Sequence, residues 1–156
     1  MLRISRSDWG RLIEELGRRG GGTREAGAFL LADQTRDRRR VTRVVYLDDL
    51  DPACLNGGIH LDGHAYSRLW DICENEHIVV VGDVHTHPGT GVRQSCIDRD
   101  NPMIAQDGHV ALIVPALATR PVRACEVGVH RYDGIGGWTT WTGWQAARCL
   151  FIRRRA

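Results

Sequence analysis

The sequence predicts a mixed α/β fold, in which a mixed sheet carries helices packed against it. Two segments repeat apolar residues at helical spacing. Short β-branched runs lie between and after them, and the two kinds of element intermix along a chain of 156 residues. That length suits one domain, so residues 1–156 read as a single unit, able to bury about two-thirds of its unfolded surface.

Each element has a local reason. Trp9, Leu12, Ile13 and Leu16 recur at i, i+3, i+4 and i+7, so residues 7–18 read as an amphipathic helix. Ser7 suits its N-cap, and Gly20-Gly21-Gly22 stops it. Residues 26–31 read as a buried strand and 41–47 as its hairpin partner, across a charged turn. Residues 54–58 read as loop and 59–61 as a short strand. Asp62 is placed to cap a helix over 63–76, with Tyr66, Leu69, Trp70 and Cys73 on one face. Residues 78–84, rich in β-branched side chains, are the clearest buried strand and run straight into His85. Pro88, Gly89 and Gly91 mark a loop, and Ser95 opens a short helix. Residues 110–114 and 124–132 read as further strands. Trp138, Trp141 and Trp144 in the tail suit core or edge packing ahead of partner binding.

Composition narrows the function classes. Hydrophobic residues at 42% and charged residues at 26% are ordinary for a soluble globular domain. A formal net charge of +2 is too small to argue for nucleic acid as the main partner. No apolar stretch is long enough to span a bilayer, and the first ten residues lack the apolar core of a secretion signal, so a cytoplasmic location is the expectation. The five cysteines are odd in number, widely spaced and without a CxxC pair, which points to reduced thiols and excludes ribbon-type zinc sites. All 21 basic residues are arginine. Codon bias accounts for that, and a protein working beside a lysine-modifying system would also avoid acceptor amines.

The segment His85-Thr86-His87-Pro88, followed by Ser95 and Asp98, carries the chemistry. On extended backbone, positions i and i+2 share a face, so both imidazoles can reach one ion from the end of the 78–84 strand. Ser95 and Asp98 are three apart, on one side of a helical turn. Asp98 can supply a third, hard oxygen ligand. Two His and one carboxylate suit Zn²⁺ first and leave a tetrahedral position free for water. Ser-x-x-Asp is also a capping box, and the two roles are compatible. Asp83 shares strand parity with both His, as a supporting partner or as a solvated acid. His109 and His130 sit at strand edges and read as structural. His60 and His64 lack the compact spacing of a second metal site.

The pattern HxHPx6SxxD, with Glu25 upstream in Glu25-Ala26-Gly27-Ala28-Phe29-Leu30, resembles the JAMM motif of MPN+ metalloproteases. The likeness runs from the first helix through Val114. It implies an MPN/JAB fold, a cytidine deaminase-like arrangement with a curved sheet and a helix on each side. It implies one catalytic Zn²⁺ held by His85, His87 and Asp98, with Glu25 as general base and Ser95 stabilising the oxyanion. It further implies hydrolysis of the isopeptide or peptide bond after the C-terminus of a ubiquitin-like protein. Small bacterial members accompany activating and conjugating enzymes in ubiquitin-like conjugation operons, some tied to antiphage defence. The family often has a second Gly after the Glu-bearing strand, where this chain has Leu30-Leu31-Ala32-Asp33.

The same residues admit other functions. One is a zinc peptidase processing a sulfur-carrier protein, and another is a non-catalytic MPN scaffold. A nucleobase deaminase is set aside, because position 87 is His where that chemistry needs Glu, and no CxxC exists.

Overall fold

The run Ile78-Val79-Val80-Val81 has the β-branched density of a buried strand, and it occupies an interior position of the sheet. The computed structural model describes residues 1–135 and 137–153. In it the chain forms β1 (Leu2–Ser5), α1 (Arg6–Gly20), β2 (Gly27–Asp33), β3 (Val41–Tyr46), α2 (Leu47–Leu50), α3 (Gly63–Glu76) and β4 (Ile78–Thr86). There follow α4 (Cys96–Asp100), β5 (Val110–Val114), β6 (Gly128–Tyr132), β7 (Trp138–Trp141), α5 (Gly143–Cys149) and β8 (Leu150–Arg153).

Six strands form one mixed sheet in the order β3-β2-β4-β5-β6-β7. Only β4 and β5 pair parallel, and the others pair antiparallel. β1 and β8 make a separate parallel ribbon that joins the two ends of the chain, Leu2 opposite Leu150. The expected mixed sheet with flanking helices is what forms.

Each face of the sheet has its own cover. Phe29 stands opposite Asp83 across the β2–β4 ladder, and its ring lies 6.2 Å from that of Tyr66, so α3 covers the face that carries Asp83 and His85. The opposite parity is Gly82, where a Cβ would stand 3.3 Å from Leu2 of β1 and 2.4 Å from the Val110 carbonyl. Only glycine lets those backbones approach so closely. α1 packs beside the β1–β8 ribbon through buried Trp9, Leu12, Ile13 and Leu16, the stripe its sequence spacing predicts. The Trp9 indole N–H donates to the Val122 carbonyl at 2.7 Å.

Several boundaries differ from the sequence expectation. The cap of α1 lies two residues earlier than expected: Ser5, not Ser7, takes the role, its Oγ accepting from the Asp8 amide at 3.0 Å. Gly21 then ends the helix in the left-handed region at φ 60°. Residues 59–61 form no strand, because the His60 amide closes a turn onto the Cys54 carbonyl at 2.9 Å instead of joining a ladder. The 124–132 strand starts only at Gly128, after a 3-10 turn over Ala124–Glu126 in which the Glu126 carboxylate accepts from the Arg123 amide. Asp62 caps α3 as expected. Trp138 and Trp141 sit on edge strand β7 and are partly buried, whereas Trp144 is 81% exposed. All five cysteines are free. Among the described residues no helix is long and apolar enough to cross a membrane.

Phe29 is fully buried at the junction of β2, β4 and α3. Its truncation to alanine is expected to cost about 3–5 kcal/mol of stability. The measurement is the urea midpoint of the purified chain, and a loss under about 1 kcal/mol would contradict this packing.

Candidate metal centre

The site grows from the end of β4. His85 and His87 point to one face, while Thr86 between them points to the other and is fully buried. The Thr86 hydroxyl accepts from the Ala26 amide at 3.0 Å, and the Thr86 amide donates to the Ala26 carbonyl at 3.0 Å. This clamp fixes the entry to β2. Gly27 lies opposite His85, so carrying the register two residues back places Glu25 across from His87. A larger residue at Gly27 would crowd its neighbours: a Cβ there would stand 2.7 Å from the Leu47 side chain and 3.0 Å from the Val84 carbonyl.

Past His87 the chain stays anchored. The His87 amide donates to Val114 O, and the Leu117 and Ala116 amides donate to His87 O and Gly89 O, all within 2.8–2.9 Å. The turn that does this is strained: Ala116, Leu117 and Ala118 take φ of 54°, 50° and 55°. Such positions cost about 1–3 kcal/mol each and persist only where packing over-determines them. α1 supplies that packing, for a Cβ at Gly17 would lie 2.6 Å from the Ala118 carbonyl.

The loop then crosses β6. His130 Nε2–H donates to the Val92 carbonyl at 2.9 Å, and its Nδ1 lies 2.9 Å from the Thr140 hydroxyl. Burial lowers the His130 pKa, which keeps the ring neutral with its proton on Nε2. At Gly128 a Cβ would sit 1.9 Å from the same carbonyl. The loop therefore passes over β6 at a point where only glycine fits.

Ser95 caps α4, and both halves of the capping box form: Ser95 Oγ accepts from the Asp98 amide at 3.1 Å, and Asp98 Oδ2 accepts from the Ser95 amide at 2.7 Å. The cap thus holds Asp98 in place. Asp98 Oδ1 is 3.6 Å from His85 Nε2, and Oδ2 is 3.4 Å from His87 Nε2. The two Nε2 atoms are 3.1 Å apart. Ligand bonds of about 2.0–2.1 Å at tetrahedral angles put ligand atoms about 3.3 Å from each other, so this spacing fits a zinc-sized ion. Among the described residues, His85, His87 and Asp98 are the group of metal-binding side chains that gathers in this way. His60, His64 and His77 are exposed and form no second group.

Charge agrees with geometry. Burial disfavours the His85 imidazolium, but the carboxylates of Asp83 and Asp98 outweigh it and raise its pKa to about 9. Burial likewise opposes the Asp98 carboxylate, and His85 and His87 more than compensate, holding it well below the usual carboxylate range. The cluster therefore favours positive charge at its centre. Asp83 is no solvated acid: it is 3% exposed and accepts from His109 Nε2–H at 2.6 Å.

Glu25, His85, His87, Ser95 and Asp98 all line one cavity of about 800 Å³. Glu25 is partly buried there, and Ser95 is exposed at the rim. All five residues singled out from the sequence meet in one place. The sequence reading did not foresee the His130–Val92 latch or the Asp83–His109 pair. The signal available for the first was Gly128, a glycine within a strand, which marks close backbone approach.

No family model matches the chain. Solved structures do. A JAB1/MPN domain protein from Archaeoglobus fulgidus aligns with a TM-score of 0.50 and 16% identity over 85% of this chain and 90% of that one. The chain shares the JAB1/MPN fold. A protein from Desulfitobacterium hafniense aligns with a TM-score of 0.65 and 18% identity over 99% of this chain and 94% of its own. One from Salinibacter ruber gives 0.58 and 18% over 99% and 92%. On this JAB1/MPN-like fold the site occupies the end of β4 and the loop that follows it.

Zinc supplied at about 100 times its dissociation constant is expected to add about 2.7 kcal/mol to the stability of the parent chain. A chelator should reverse the gain, and His87→Ala or Asp98→Asn should lose it. Thermal melts with and without zinc provide the check. A parent melt indifferent to the metal would refute the ligand set.

Proposed function

We propose that this chain is a zinc-dependent hydrolase of the JAMM type, cleaving the isopeptide or peptide bond after the C-terminus of a ubiquitin-like protein. The observation that carries the reading is the convergence of His85, His87 and Asp98 in the cavity that Glu25 also lines. Two imidazoles and one carboxylate are a neutral-to-anionic donor set suited to Zn²⁺, and their spacing fits it. When bound, zinc would polarise a carbonyl and lower the pKa of a water molecule toward about 7.

The chain's own residues supply the proton handling. Glu25 takes a proton from the attacking water and returns it to the nitrogen of the leaving amine. One amide and one water become one carboxylate and one amine. Ser95 Oγ already accepts from the Asp98 amide, which leaves its hydrogen to donate to the carbonyl oxygen as that oxygen gains charge. Ile59, Leu61, Ile97 and Met103 also line the cavity, and in this reading they offer apolar surface to an extended substrate tail.

In this reading the substrate is a ubiquitin-like precursor or conjugate, and activating and conjugating enzymes encoded beside the gene are its functional partners. Purified chain incubated with such a fusion should release the free tail, and a chelator should stop the reaction. Glu25→Gln should slow cleavage by about 10²–10⁴-fold with zinc content unchanged, read by gel densitometry and metal analysis. Parental cleavage rates in that variant would remove Glu25 from the mechanism.

A further inference from the structure

The ring of His85 has two nitrogens, and only one faces the other ligands. Its Nε2 is turned toward His87 and Asp98. Its Nδ1 is buried and hydrogen-bonded to nothing in the protein. Asp83, two residues earlier on the same face of β4, stands behind it with Oδ2 4.0 Å from that nitrogen. The other carboxylate oxygen accepts from His109 Nε2–H at 2.6 Å. All three side chains are buried.

We propose that Asp83, held by His109, is a positioning residue that fixes the tautomer and ring orientation of His85 for metal binding and so sets the metal affinity of the site. This rests on the reading of His85, His87 and Asp98 as ligands of a divalent metal. A neutral imidazole carries one N–H. To offer a lone pair at Nε2 it must keep its proton on Nδ1, and a buried N–H needs an acceptor. A carboxylate can only accept. Asp98 on the other side draws the proton toward Nε2, the tautomer that blocks the metal. Asp83 opposes that pull and favours the binding tautomer.

The placement is set by the sheet. Asp83 lies inside the sheet, opposite Phe29 on β2 and Ala111 on β5. His109 enters β5 with its amide bonded to the Gln106 carbonyl and its own carbonyl accepting from the Tyr132 amide. The orienting pair thus bridges two adjacent strands, where backbone freedom is least, and ligands held by such a framework keep their geometry.

A plain structural role would look different. A buried Asp–His bridge between β4 and β5 that served only stability would change the melting temperature and leave metal affinity alone. The test therefore reads affinity directly. Parent, Asp83→Asn and His109→Gln are purified as full chains and titrated with zinc against a chelating indicator. Their cobalt(II) visible spectra are recorded, with circular dichroism as the check on fold. Asp83→Asn keeps the shape and is expected to weaken zinc binding about 10–100-fold and to alter the cobalt spectrum. His109→Gln, which leaves the carboxylate but loosens it, should shift both in the same direction by less. Zinc affinity within about twofold of the parent in a folded Asp83→Asn overturns the proposal. If that variant does not fold, the same result in His109→Gln overturns it. A parent that binds no zinc overturns the ligand assignment itself, and parental binding in the variants overturns only the orienting role.

Discussion

The period-two alternation of side chains on β4 is the constraint from which the site follows. His85 and His87 share a face only because their strand is extended, and they share a cavity only because its register is fixed on both sides. A slip of one residue would send both rings through the sheet to the opposite face. The register is pinned by contacts that tolerate no slip. Gly27 and Gly82 sit where a Cβ would meet neighbouring backbone at 3.0 Å and 2.4 Å. Thr86 is tied to both polar groups of Ala26. The same register carries Glu25 to its place opposite His87, so the proposed general base and the two candidate histidine ligands are positioned by one ladder.

Asp98 reaches the cluster by a different route, and its support is local. A five-residue helix cannot stand on its own, because nucleation costs more than so few hydrogen bonds return. α4 is held by its capping box, by the Trp138 indole N–H donating to the Arg99 carbonyl at 3.1 Å, and by the loop before it, which His130 latches at Val92. The capping box of Ser95 and Asp98 and the candidate ligand role of Asp98, compatible in the sequence, are met by one arrangement. The carboxylate that accepts from the Ser95 amide is held by that bond in the position where it faces both imidazoles.

Much of this was legible in the chain because it is local. The apolar stripe of α1, the Asp62 cap of α3, the β-branched run of β4 and the i, i+2 spacing of the histidines are properties of a few consecutive residues. What escaped is long-range. β1 is four residues whose partner lies at the other end of the chain, so no window contains the evidence for it. The left-handed turn at Ala116, Leu117 and Ala118 contradicts local preference and exists because α1 and the His87 carbonyl hold it. His109 and Asp83 are 26 positions apart, and their pairing depends on the parallel β4–β5 register. Ser7 suits a cap because it just precedes the apolar stripe. Ser5 takes the role because β1 delivers the chain extended up to that residue.

The distribution of buried polarity ties fold to chemistry. Among the described residues the buried polar or charged side chains are Asp83, His85, Thr86, His109 and His130. Each belongs to the site or to what holds it: Thr86 clamps β2, His130 latches the loop, and His109 grips Asp83 behind His85. Leaving a buried polar group unmatched costs about 1–3 kcal/mol, so a core that only needed stability would do better with apolar residues at these positions. Four of the five are matched. The unmatched atom is His85 Nδ1, in the ring whose other nitrogen faces the ligand cluster. Among the described residues the buried side-chain atom without a partner thus lies in a candidate ligand ring, next to the carboxylate proposed to orient it.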